Sequence, residues 1–122
     1  MTNTAYPIGT VGQPWGAAER EQWRGLQRVK RSYATDVLTV VERLRARFDV
    51  VQYGELDYAP DRYPLFAIKT RNWHDDLPIV LVTGGVHGYE TSGVHGALAF
   101  VDNHALDYAG RVNLLVLPCL SP

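Results

Sequence analysis

The strongest constraint on the fold is a pair of uninterrupted apolar runs with one helical segment between them. Pro78-Ile79-Val80-Leu81-Val82-Thr83 halts at Gly84-Gly85, and Val112-Asn113-Leu114-Leu115-Val116-Leu117 halts at Pro118. Such runs lack the polar alternation of a half-exposed strand and read as strands covered on both faces. Between them Val94, Ala97, Leu98, Val101 and Ala105 recur at helical spacing. Thr91 or Ser92 is placed to cap that helix, and Tyr108-Ala109-Gly110 to end it. Strand, helix and strand within about 40 residues make a βαβ unit, right-handed in nearly every instance, with parallel strands. The expectation is a three-layer α/β fold in which residues 78–83 form a central strand.

Upstream, residues 1–16 hold two prolines and three glycines and read as an extended arm. The pattern turns helical from Ala17. Trp23, Leu26 and Val29 recur at three-residue steps, and Tyr33, Val37, Val40, Val41, Leu44 and Phe48 at three and four. Two helices with a joint near residues 30–32 are expected. Arg43, Arg45 and Arg47 fall late in the second, where cations suit the helix dipole. The period then shortens. Residues 49–55 and 63–70 read as strands, separated by the turn Asp57-Tyr58-Ala59-Pro60-Asp61. Residues 72–76 form a second loop.

Twelve basic residues against thirteen acidic ones leave a formal charge of -1, with no basic tract. That balance gives no electrostatic pull toward nucleic acid or an anionic membrane. No apolar run approaches the roughly 20 residues of a membrane helix. The first 16 residues have no secretory pattern. The lone Cys119 allows no internal disulfide and fits a reducing compartment. A soluble, cytoplasmic protein is expected. The chain stops at Ser121-Pro122, directly after an apolar strand with no covering helix, so it reads as part of something about twice as long or more.

The chemistry concentrates in Gly84-Gly85-Val86-His87-Gly88-Tyr89-Glu90-Thr91-Ser92-Gly93. This segment joins the carboxyl end of a strand to a helix, which is where open α/β sheets bind ligands. A phosphate-binding loop would need Gly-x-x-x-x-Gly-Lys-Ser/Thr or Gly-x-Gly-x-x-Gly, and neither is present. A serine nucleophile elbow would need Gly-x-Ser-x-Gly, but Glu90 stands two residues before Ser92. His87 and Glu90, three apart on one tight turn, can direct an imidazole nitrogen and a carboxylate oxygen at one ion. Those are two of the three protein ligands of a His₂Glu zinc site. On spacing alone, two polar loop residues without a metal role remain an equal reading.

From Pro78 through Gly93 the sequence resembles the strand and His-x-x-Glu segment of the zinc carboxypeptidase family. That superfamily also holds the aspartoacylase and succinylglutamate desuccinylase amidohydrolases. The order of the following helix and strand extends the resemblance over residues 49–122. It implies a three-layer α/β fold with a mixed, mostly parallel sheet. Residues 17–122 would then be the N-terminal part of a metallocarboxypeptidase-like catalytic domain. It also implies Zn²⁺ bound by His87 and Glu90. The family's third ligand histidine, its carboxylate-binding arginine and its general-base glutamate lie later, beyond residue 122. A further departure is Pro118-Cys119-Leu120-Ser121-Pro122, where family carboxypeptidases often show Pro-x-x-Asn-Pro.

His95 repeats the Gly-Val-His-Gly context of His87 but falls on the helix, His104 near the helix end, and His74 in a loop beside two aspartates. His95 lies beside the apolar stripe and is disfavoured as a ligand, and His104 is expected to meet the last helix carbonyls or solvent. His74 reads as surface, Trp15, Trp23 and Trp73 as packing, and Cys119 as a small hydrophobe. The function expected is zinc-assisted amide hydrolysis of a C-terminal peptide bond. The alternative substrate is an N-acyl amino acid, and a third reading is a non-catalytic binding or folding module. The expected partners are the substrate and either a second copy or the missing C-terminal part.

Overall fold

The computed structural model describes residues 7–58 and 61–122. These divide into two compact units between Lys30 and Arg31.

In the first unit the Gly16 N–H donates to the Glu19 carboxylate at 2.8 Å and opens helix α1 (Ala17–Leu26). That contact satisfies one of the donors that every helix start leaves unpaired. The helix stops before Val29. Gly25 weakens its last turn, and Gln27 leaves for extended backbone with its N–H bonded to the Arg24 carbonyl. The expected stripe therefore loses its last member, and α1 buries none of its residues.

In the second unit the Ser32 hydroxyl accepts from the Thr35 N–H, and the Asp36 carboxylate accepts from the Ser32 N–H. This pair starts a new helical stretch, so the two-helix expectation holds. It opens as a π-helical segment (Tyr33–Leu38), whose end is marked by the Thr39 N–H bonding Ala34 O, and continues as α2 (Thr39–Leu44). Phe48, expected on this helix, follows a turn at 45–47 and is buried there.

Strands β1 (Asp49–Tyr58) and β2 (Asp61–Lys69) form an antiparallel hairpin from Asp49↔Lys69 to Tyr58↔Asp61, with a bulge between Gln52 and Gly54. Ala59 and Pro60 of the expected turn lie outside the described residues. Next come β3 (Ile79–Thr83), α3 (Thr91–Asn103), a 3₁₀ turn (Ala105–Tyr108) and β4 (Asn113–Leu117). The βαβ expectation holds, with β3 and β4 parallel from Ile79↔Asn113 to Thr83↔Leu117.

Three expectations are corrected. The sheet order is β1-β2-β4-β3, so β3 is an edge strand among the described residues, and β4 is the inner one. Ile79 and Leu81 are accordingly 63% and 59% exposed rather than covered. Among the described residues the sheet is mixed, with antiparallel pairing the more frequent. The hairpin must return antiparallel, and β2 meets β4 antiparallel at Ile68↔Val116, which leaves β3–β4 as the parallel pair. Helix α3 is preceded by Glu90 in extended backbone, so neither Thr91 nor Ser92 caps it.

Ile68, Val116 and Val82 are in register across β2, β4 and β3 and share one face of the sheet. Together with Leu114 they pack against Val37 of the π-helical segment, Val41 and Leu44 of α2, and Val94, Leu98 and Val101 of α3. Each such side chain contributes about 1.5–3 kcal/mol when fully buried, which fixes α3 and the turn ahead of it. Asp102 on α3 pairs with Arg43 at 2.6 Å and with Arg47. Buried Asn113 explains the polar interruption of β4. Its amide accepts from the His74 N–H and donates to the carbonyls of His74 and Leu77, ordering the loop that enters β3.

Candidate metal centre

At the carboxyl end of β3 the chain must pass between α3 and the exit of β4, and only glycine fits. A Cβ on Gly84 would stand 2.6 Å from the Gly93 carbonyl oxygen and 2.8 Å from that of Pro118. Gly85 adopts φ +60°, and a Cβ there would lie 2.5 Å from Val94 Cγ2. Gly84-Gly85 is thus a steric requirement of the βαβ unit, and it lets the next residues turn back over the sheet edge.

The exits of the two parallel strands are zipped together. Leu120 N–H donates to Gly84 O at 3.1 Å and Ser121 N–H to Gly85 O at 2.9 Å. The Ser121 hydroxyl donates to Val86 O at 3.0 Å. Beyond that the Glu90 N–H closes a tight turn on His87 O at 3.1 Å. This turn brings the two predicted residues together, with His87 Nδ1 3.3 Å from Glu90 Oε2. Both flank an open cleft of about 290 Å³, lined otherwise by residues 83–86 and Gly93. Their side chains are 60% and 55% exposed, so their mutual attraction is solvent-screened and contributes about 1 kcal/mol at most. Fold stability does not explain the pairing.

The donor set and spacing fit a metal ion. Two ligand atoms about 2.1 Å from a shared tetrahedral ion stand about 3.4 Å apart, against the 3.3 Å found. Among the described residues no group of three or more His, Cys, Asp and Glu side chains converges on one point.

The other candidates are elsewhere. His95 is exposed on α3, His104 faces Asp107 at 3.6 Å, and His74 faces Asp76 at 3.7 Å. Cys119 is buried within the core. Burial pushes its thiol up, opposed by the neighbouring Arg31 guanidinium and the Ser121 N–H. Three residues at the site were not singled out from the sequence. Tyr89, 82% exposed, stacks on His87 with ring centroids 6.0 Å apart. Ser121 holds Val86, as described. Arg31 Nη2 donates to Gly88 O at 3.1 Å and to Ser121 O at 3.3 Å. Arg31 is 57 residues from Gly88 and 90 from Ser121, so no local pattern could have announced these bonds.

The hairpin, the βαβ unit and the glycine-lined turn are arranged as in solved structures provisionally named metallopeptidases, so the fold is metallopeptidase-like. The chain is similar to three solved structures, each provisionally named a metallopeptidase. For that from Shewanella baltica OS155 the identity is 26% over 67% of this chain, with TM-score 0.55. For that from Shewanella amazonensis SB2B it is 28% over 71%, with TM-score 0.56. For that from Shewanella denitrificans OS217 it is 26% over 71%, with TM-score 0.54. The chain spans 30–31% of the length of these structures. No family model and no curated protein matches it.

Proposed function

We propose that residues 17–122 are the first part of a metal-dependent peptidase domain, and that His87 and Glu90 are two ligands of its zinc ion. The observation that carries this reading is the 3.3 Å approach of Nδ1 and Oε2 at a strand end, beside an open cleft. The similar metallopeptidase structures support it. When bound, the ion supplies Lewis acidity toward the scissile carbonyl and the attacking water. The residues of this chain do the holding. Glu90 brings negative charge to the N-terminal end of α3, where the helix dipole favours it. The glycine backbone at 84–85 packs between α3 and the exit of β4 and so sets where the turn leaves the sheet. The third ligand and the general base come from outside these 122 residues in this reading, and the substrate is a peptide with a free C-terminus. The compartment is the cytoplasm. The free edge of β3 pairs with a further strand, from the rest of a longer protein or from a second copy.

The test is hydrolysis, by the longer protein that this reading requires and not by the 122 residues alone, of a peptide with a free C-terminus and, separately, of an N-acyl amino acid. Chelator-sensitive release of the C-terminal residue, restored by zinc, is expected. Turnover of the N-acyl amino acid alone would move the substrate assignment to the amidohydrolase branch. Hydrolysis indifferent to both chelator and His87→Ala would overturn the metal reading.

A further inference from the structure

We propose that Arg31 is a positioning residue for the metal-binding turn, holding Gly88 so that His87 and Glu90 keep their mutual spacing. The inference rests on the reading of those two residues as ligands. The turn has little apolar anchorage of its own, because Val86, His87, Tyr89 and Glu90 are all exposed. Its shape therefore depends on hydrogen bonds. The backbone zipper with the β4 exit reaches only as far as Gly85, and the Ser121 hydroxyl extends it to Val86. Past Val86, Arg31 makes the one side-chain hydrogen bond to the turn's backbone seen among the described residues, and it grips Gly88 midway between the two donors.

The chemistry of the contact fits a brace. One guanidinium nitrogen spans two carbonyl oxygens, those of Gly88 and Ser121, and so locks the turn to the strand exit beside it. The two segments already touch, since a Cβ on Gly88 would lie 3.1 Å from Ser121 O. A lysine ammonium is a flexible point charge without the rigid planar fork. The Arg31 guanidinium also lies against the Cys119 thiol, whose rise on burial it opposes by charge and by a hydrogen bond. The contacts to Gly88, Ser121 and Cys119 tie one side chain to both the turn and the strand exit.

The experiment uses the full chain as wild type, Arg31→Met, Arg31→Lys and His87→Ala. It reads cobalt(II) affinity from the visible absorption of the bound ion, and amide hydrogen exchange of residues 86–90 in the metal-free protein. Roughly 10- to 100-fold weaker cobalt binding is expected for Arg31→Met, the range seen when groups supporting a ligand are removed. A smaller loss is expected for Arg31→Lys. Exchange at residues 86–90 should quicken in both variants while the core strands stay protected. Wild-type affinity and unchanged exchange in Arg31→Met, with binding abolished in His87→Ala, would overturn the role of Arg31 and leave the ligand assignment standing. Undiminished cobalt binding in His87→Ala would instead sink the ligand assignment, and the exchange data would still decide whether Arg31 holds the turn. If Arg31→Met fails to fold, Arg31→Lys carries the same comparison.

Discussion

His87 Nδ1 and Glu90 Oε2 stand 3.3 Å apart on a single turn closed by the Glu90 N–H on the His87 carbonyl. Nothing in the hydrophobic core requires that approach, because both side chains are largely solvated. What the core does require is the backbone beneath them. Val94 is fully buried one turn into α3, and Gly85 packs directly on it.

Gly85→Ala should therefore act on the turn through the core. The new methyl meets Val94 Cγ2 at 2.5 Å on a backbone with φ +60°. The left-handed conformation costs an alanine about 1 kcal/mol, and overpacking adds about 1–3 kcal/mol. A loss of about 3 kcal/mol in urea-unfolding free energy is expected, together with weaker metal binding. Stability within 0.5 kcal/mol of wild type, as is usual for surface substitutions, would show that the β3–α3 junction is looser than described.

The elements that were legible in the sequence are those whose signals are local. Residues 78–83 and 112–117 are strands because their apolar runs end at glycine or proline, and α3 keeps its helical spacing between them. His87 and Glu90 meet because three residues of one turn suffice. What was not legible depends on distant partners. The run at 78–83 has the composition of an inner strand, yet β4 takes the inner position beside β2. Val29 has the right spacing for α1, but the chain leaves the helix at Gln27. The hydrogen bonds of Arg31 cross 57 and 90 residues, and only the folded chain shows them.

Tyr33 sets a pH dependence. Burial pushes its hydroxyl up to about 12, with Cys119 and Tyr53 adding to the rise and Arg31 opposing it. Below pH 10 the ring is neutral in both folded and unfolded chains. Between about 10 and 12 the unfolded chain releases the proton while the folded one keeps it, so stability falls as pH rises through that window. Tyr33→Phe loses the hydrogen bond to Pro64 O, about 1 kcal/mol at pH 8, and its alkaline decline should be shallower. Chemical denaturation at pH 8, 10 and 11.5 reads both effects. An identical slope in the two proteins would refute the assignment.

The edge of β3 predicts association. Ile79 and Leu81 are exposed beside strand backbone that has no partner strand among the described residues, the combination that templates pairing with another strand. The 122-residue chain should sediment with a concentration-dependent coefficient, and Leu81→Lys should shift it toward monomer. A sharp monomer boundary at every concentration, without binding of a hydrophobic dye, would contradict this.

The central claim is that His87 and Glu90 hold the ion, and metal content measures it most directly. Wild type, His87→Ala and Glu90→Ala, each purified as the longer protein that supplies the third ligand and dialysed against zinc, are compared by atomic absorption. About one zinc per wild-type molecule is expected, with most of it lost in either variant and circular dichroism unchanged. Stoichiometric zinc retained by a folded His87→Ala protein would contradict it.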